Sequence, residues 1–162
     1  MAEQSATKGR SVVHAQGEGE ALWMLGGLYE TRLSAAETGG TASVIEFTVP
    51  VGASPPPHIH DQDEVVYILE GTARFHADGT TKEAGPGSVL FFPRGTQETF
   101  EPTSTMRMLA VYTPGGIDRF FAEAGEPAQR REIPPAPTGP PDAEKLASIG
   151  ARYGLKLIPP DH

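Results

Sequence analysis

The 162-residue chain contains no cysteine. That absence removes disulfides, thiolate nucleophiles, Cys-ligated zinc and iron–sulfur clusters together, so any metal chemistry must rest on His, Asp or Glu. No apolar run approaches the roughly 20 residues that a membrane-spanning helix needs. Cationic clusters are missing too. Lys and Arg number 13 against 21 Asp and Glu, a net charge of −8, and Arg130-Arg131 is the sole basic doublet. A nucleic-acid partner, which requires grouped cations against phosphate, is not expected. Met1–Arg10 is polar throughout and lacks the apolar stretch of a signal peptide, which makes a cytoplasmic location the expectation.

What the chain has in quantity is turn-forming residues, 19 Gly and 16 Pro. Such punctuation suits many short strands rather than a helical bundle. Residues 1–18 show no periodicity and read as a loose N-terminal arm. From there the text is strand-like. Ala21–Leu25 opens a strand, Gly26-Gly27 interrupts it as a bulge would, and Leu28–Leu33 continues it. Ser43–Val49 alternates, with Ile45, Phe47 and Val49 on one face. Glu64–Glu70 and Thr72–Ala77 follow, the latter ending in the hairpin signal Asp78-Gly79. Ser88–Phe92, Gln97–Glu101 and Met106–Thr113 bring the count to about eight strands.

Beyond Pro114-Gly115-Gly116 the period changes. Ile117, Phe120, Phe121 and Ala124 recur at helical spacing up to Gly125. Residues 133–141 hold five prolines and read as an extended linker. Asp142 then caps a short helix carrying Leu146, Ile149 and Tyr153 on one stripe, with Gly154 at its end. The expected organisation is an arm over 1–18, a barrel with its first helix over 19–125, a Pro-rich linker over 126–141, and a short helix with a tail over 142–162.

The chemistry lies between Gly52 and Pro102. His58 and His60 are two apart, so an extended strand projects both imidazoles from one face. Glu64 follows at a further even offset, and Pro55-Pro56-Pro57 stiffens the approach. Two imidazoles and a carboxylate suit Mn, Fe, Co, Ni or Zn as a divalent ion. An isolated His-x-His would be read more simply as a polar strand edge. Here it is framed by glycines: Gly52, five residues, His58, one, His60, three, Glu64, six, Gly71. A chance match to all five positions is on the order of one in ten thousand for a chain of this length. A second block follows as Gly87, five residues, Pro93, one, Gly95.

These two blocks resemble the paired motifs of the cupin superfamily, and the resemblance runs from about Glu20 to Thr113. It implies an all-β fold: an antiparallel conical jelly-roll barrel, with one divalent metal ion per chain and the C-terminal helices packed outside. The flanks, Ala21-Leu22-Trp23 to Gly26-Gly27-Leu28 and Thr113-Pro114-Gly115-Gly116 leading into Phe120-Phe121, resemble small bacterial cupins related to quercetin 2,3-dioxygenase. The family commonly forms homodimers, and the apolar Leu22–Leu33 segment is the expected contact, as an early strand able to extend a partner's sheet.

The second motif departs from the family at one position. Its fourth ligand is a His three residues after Gly95, and here Glu98 stands in that place, with Pro102 where Asn is usual. Three readings are open. Glu98 ligates, giving His58, His60, Glu64 and Glu98 as the metal set; or it stays off the metal as a general acid or base; or the metal site is lost. Glu64 and Glu98 are the candidate catalytic groups. Phe47 and Phe100 are candidates for a substrate pocket, although barrel core is the simpler and favoured reading for them, Phe91 and Phe92. His14, His76 and His162 lack partners at ligand spacing and read as surface residues. The expected activity is that of a metal-dependent enzyme on a small aromatic or oxygenated molecule. A quercetinase-like dioxygenase leads, with a redox-neutral cyclase, isomerase or dehydratase, or a non-enzymatic binding protein, as alternatives.

Overall fold

The computed structural model describes residues 9–159; His162 and the first eight residues of the N-terminal arm lie outside them. Twelve strands run in the order β1 (Ala21–Met24), β2 (Gly27–Leu33), β3 (Ser43–Val49), β4 (His58–His60), β5 (Asp63–Glu70), β6 (Ala73–Ala77), β7 (Thr80–Ala84), β8 (Val89–Phe92), β9 (Glu98–Pro102), β10 (Met106–Thr113), β11 (Glu126–Pro127) and β12 (Leu155–Leu157). Helix α1 (Asp118–Ala124) precedes β11, and α2 (Ala143–Ala151) precedes β12. The strands form two antiparallel sheets, ordered β11-β1-β2-β3-β10-β5-β8 and β12-β4-β9-β6-β7. Among the described residues no ladder joins one sheet to the other, so the barrel is built of two facing sheets. No helix among the described residues is long and apolar enough to cross a membrane.

Alternation decides which face is inside. In β3, Ser43, Ile45, Phe47 and Val49 are buried while the residues between them are not. Val66 and Ile68 of β5 and Met106, Met108 and Ala110 of β10 join them from the same sheet, and Ala73, Phe75 and Phe100 answer from the other. Burial of these apolar faces is the main stabilising term of the fold. The helices stand outside the sheets, and their apolar residues Phe120, Phe121, Leu146 and Ile149, with Ile117 at the N-cap of α1, enter the same core. Asp142 caps α2 as expected, its Oδ1 accepting from the Lys145 N–H at 3.0 Å.

Two expectations for the first strands are corrected. The Gly26-Gly27 interruption is not a bulge: Met24 pairs with Gly27, and Leu25 and Gly26 form a two-residue hairpin turn with φ of 52° and 79°. A turn of this handedness needs positive φ at both central residues, and Leu-Gly is an inconspicuous sequence for it. Nor is Leu22–Leu33 a free edge, because β11 pairs with β1 at Leu22 and Trp23 and covers it.

Two further strands carry no readable period. β7 is polar apart from Ala84 and follows the Asp78-Gly79 hairpin. β12 is three residues long and lies within what reads as a tail, yet it pairs with β4 along its whole length, Leu155 to His60 and Leu157 to His58. The strand bearing the two histidines is thereby held between β9 and β12.

Candidate functional site

The site is assembled from both sheets. His58 and His60 share a face of β4, as their spacing requires, and their rings lie 5.7 Å apart, nearly parallel. Glu98 is the residue of β9 directly opposite His58. Glu64 arrives differently from its even-offset reading. The chain bends at Asp61-Gln62 and enters β5 of the other sheet, so Glu64 approaches the histidines from the facing layer.

Side-chain hydrogen bonds fix both imidazoles. His58 Nδ1–H donates to the Pro56 carbonyl at 3.0 Å, and His60 Nδ1–H donates to the Gln62 carbonyl at 2.9 Å. A carbonyl accepts only, so each Nδ1 carries a proton and each Nε2 is turned toward the site. Glu98 Oε1 lies 3.4 Å from His58 Nε2 and 3.2 Å from His60 Nε2. Glu64 Oε2 lies 3.0 Å from His60 Nε2. The ligand atoms of His58, His60 and Glu98 all fall within 4.8 Å of one another; Glu64 stands outside that triangle.

Electrostatics follow from this crowding. Burial disfavours a charged His60, but its hydrogen bonds to Glu64 and Glu98 outweigh that and raise its pKa to about 10. Burial, reinforced by the hydrogen bond shared with Glu98, pushes Glu64 up to about 7. Glu98 is also buried, yet its hydrogen bonds with Glu64, His58 and His60 hold it well below the usual carboxylate range. Without a metal the centre therefore favours an imidazolium at His60 and, below about pH 7, a protonated Glu64 beside an ionised Glu98. Tyr112, opposite Glu64 on β10, is buried beside it and its hydroxyl is pushed well above its ordinary pKa by burial and by Glu64.

The residues fit a divalent cation. Two Nε2 atoms and a carboxylate converge, both imidazoles are oriented from behind by backbone carbonyls, and Glu98 Oε2 is buried with no hydrogen-bond partner among the described residues. Such an orphaned acceptor is costly unless something occupies it. His58, His60 and Glu98 would hold the ion, with Glu64 adjacent.

The centre opens onto a cavity of about 70 Å³. Phe47 and Phe100 line it, as do Tyr29, Phe75, Phe92 and Tyr112. Phe91, grouped with them on composition, is 61% exposed on the outer face, because successive residues of β8 point to opposite sides. Helix α1 closes one side with Phe120 and Phe121, together with Ile117 at its N-cap. Sequence reasoning passes over Tyr112, although the alternation of Met106–Thr113 puts it on the inward face with Met108 and Ala110. Tyr29 and Phe75 carry no comparable chemical signal. His14 pairs with Glu37 at 2.9 Å and His76 with Thr81 at 2.7 Å, both away from the centre.

Comparison with known proteins places this architecture. The cupin domain family matches residues 45–112, from β3 to β10. The chain is 28% identical over 146 residues to a quercetin 2,3-dioxygenase of Bacillus subtilis, a likeness covering 89% of this chain and 43% of that protein. It thus spans less than half the length of that relative. Among solved structures it is similar to the polyketide cyclase RemF from Streptomyces resistomycificus, with 28% identity and a TM-score of 0.53 over 64% of this chain and 79% of that one. An RmlC-like cupin from Shewanella frigidimarina superimposes with a TM-score of 0.58 at 18% identity, over 67% of this chain and 96% of that one. Fold, relatives and the glycine-framed spacing of the two motifs agree, and the chain belongs to the cupin superfamily.

Proposed function

We propose that the chain is a metal-dependent enzyme acting on a small aromatic or oxygenated molecule, as a dioxygenase of the quercetinase kind. The observation that carries this reading is the convergence of His58 Nε2, His60 Nε2 and the Glu98 carboxylate at the wall of a cavity lined by aromatic rings. A divalent ion held by these three residues supplies a Lewis acid for a substrate oxygen. Around it the chain's own groups have distinct tasks. Phe47, Phe75 and Phe100 offer faces and edges to a flat ring and keep water from the reacting atoms. Glu64 is placed to take a proton from a substrate hydroxyl at its carboxylate oxygen, and Glu98 steadies the product of that transfer through their shared hydrogen bond.

A second reading is supported by the same pair of carboxyls. Glu64, Glu98 and Tyr112 form a buried proton-transfer group that needs no oxidant, which suits a redox-neutral cyclase, isomerase or dehydratase, and one solved structure at 28% identity is a polyketide cyclase. Oxygen uptake by metal-reconstituted protein with flavonols separates the readings. Uptake with loss of flavonol absorbance supports dioxygenation. Turnover of a polyphenolic or polyketide substrate under strict anaerobiosis assigns the redox-neutral chemistry. Ligand binding with no turnover under either condition makes the chain a binding protein and overturns both.

A further inference from the structure

The cavity at the centre is small for the molecules its chemistry suits. A benzene-sized ring occupies a cavity of about 150 Å³ in a protein interior, and the space beside His58, His60 and Glu98 is about 70 Å³. That space takes the oxygen-bearing edge of one ring. A second ring has to lie elsewhere.

A larger hollow adjoins it. This groove of about 370 Å³ runs between the β1–β2 turn, the ends of α1 and α2, and the proline-rich segment. Met24, Leu25 and Leu146 line both spaces and stand between them. Every residue lining the groove falls outside residues 45–112, the part of the chain that matches the cupin domain. The metal centre thus belongs to the shared barrel, and the groove is built by the segments that flank it.

The groove is held open. Trp23 Nε1–H donates to the Glu132 carbonyl at 2.8 Å, and Arg131 pairs with Glu30 at 2.8 Å, which ties the start of the proline-rich segment to β1 and β2. At the other end Asp142 caps α2, and Leu146 anchors that helix in the core. Pro134, Pro135 and Pro141 line the groove between these ties, and their fixed φ angles resist collapse into it. A hollow formed in advance binds with little further ordering cost. Its movable part is the partition: Met24 is half-buried and unbranched, and it changes rotamer more readily than a β-branched residue would. The rim selects the chemistry of the occupant. Glu126 and Asp142 outnumber Lys145, an excess of acceptors that suits hydroxyl donors and opposes a carboxylate or phosphate.

We propose that the groove is a second binding subsite, which takes the part of the substrate remote from the metal centre as a neutral, hydroxylated ring system, with Met24 moving aside so that one molecule spans both spaces. The metal end of that molecule rests on the function proposed above, whereas the groove is tested by binding alone. Anaerobic equilibrium dialysis of the Zn²⁺-loaded chain compares catechol, a single ring, with quercetin, which has three. Quercetin should bind at least about tenfold more tightly. 3-Hydroxyflavone has the same rings without the remote hydroxyls and should bind about tenfold less tightly than quercetin. Lys145→Trp, at an exposed position of α2, and Ala124→Phe fill the groove, and each should weaken quercetin by about tenfold while leaving catechol unchanged. Met24→Ile, stiff at χ1, should act in the same direction. Trp23 is the only tryptophan and lines the groove but not the inner cavity, so quercetin should quench its absorption-corrected fluorescence and catechol should not. Melting curves matching wild type establish that the variants are folded. Quercetin affinity equal to that of either other probe, or left intact by all three substitutions, overturns the subsite even where metal-dependent turnover is found. Quercetin that the groove substitutions weaken and that quenches Trp23, in a chain without turnover, keeps the subsite and removes the function proposed above.

Discussion

Glu98 stands directly across from His58 on the neighbouring strand, with its Oε1 3.4 Å from His58 Nε2. The register of β4 against β9 therefore delivers a carboxylate to the position where the cupin motif carries its last histidine. The substitution changes the charge of the centre more than its shape: an imidazole ligand is neutral, and Glu98 adds a negative charge beside the two histidines.

If Glu98 binds the ion, Glu98→Ala should lower metal affinity by about 10- to 100-fold or more, and His58→Ala by at least as much. Glu98→Gln keeps an oxygen while removing the charge and should fall between. Glu98→His restores the usual donor set and should bind at least as tightly as wild type. Competition titration against a chromogenic chelator gives the order. Unchanged affinity in Glu98→Ala, with activity lost, would move Glu98 off the metal and into proton transfer.

Metal loading should release protons. In the metal-free chain His60 is protonated up to about pH 10, because Glu64 and Glu98 favour the imidazolium. A ligand must present its lone pair, so an ion displaces that proton, and apparent affinity should rise about tenfold per pH unit between roughly pH 7 and 9. The stability of the metal-free chain runs the other way. A raised pKa contributes stability below the group's ordinary value and loses it as pH climbs through the folded value. His60 therefore stabilises fully below 6.5 and fades toward about 10, while Glu64 stabilises below 4.5 and fades through about 7. Melting temperature without metal should decline from mildly acidic to alkaline pH, and pH-stat titration with Zn²⁺ at pH 7 should register proton release. Absence of release removes His60 from the ligand set.

The glycines of the first motif illustrate why part of the fold was readable. Gly71 has φ +74°, and a Cβ there would lie 2.1 Å from the Thr105 carbonyl oxygen, so neither the angle nor the space admits a side chain. Gly52 has φ +87° but open space around it. Gly71→Ala should destabilise by about 3 kcal/mol or more, lowering the melting temperature by about 10 °C. Gly52→Ala should cost only about 1 kcal/mol, and Gly52→Asn less. Thermal melts that rank the two positions equally would contradict this.

Constraints of that kind act on single residues and leave a trace in sequence: a histidine pair at a two-residue offset, an Asp-Gly turn, an inward row in β3. Relationships between distant segments leave little. Glu64 is four residues from His60 and reads as its strand neighbour, yet a bend at Asp61-Gln62 carries it into the opposite sheet. Leu25-Gly26 looks like an interruption because one of its two left-handed residues is a leucine. The apolar run of β1 reads as a free edge, since nothing local to Glu126-Pro127 announces that these two residues cover it. Phe91 and Phe92 are equally apolar in sequence, and only the pairing of β8 with β5 settles which of them is outside.

The C-terminal strand is the clearest case, and it bears on the site. Leu155–Leu157 is too short to show a period, but it forms the outer wall of β4. The flanking bonds from Asp61 N–H to the Gly154 carbonyl and from Ile158 N–H to the Pro57 carbonyl, both 2.9 Å, put Lys156 in the hydrogen-bonded register with Ile59. Ile59 lies between the two histidines, so this pairing fixes the backbone that aims both imidazoles. Lys156→Pro removes the N–H and places a ring against the ladder while deleting only an exposed side chain. It should cost about 1–3 kcal/mol of stability and about tenfold in metal affinity, as loss of an orienting partner does elsewhere. Lys156→Ala keeps the backbone donor and should match wild type in both. Chelator competition together with melting curves distinguishes positioning from simple instability: once metal affinity is measured at a temperature where both variants are fully folded, equal affinities would show that β12 stabilises the fold without aligning His58 and His60.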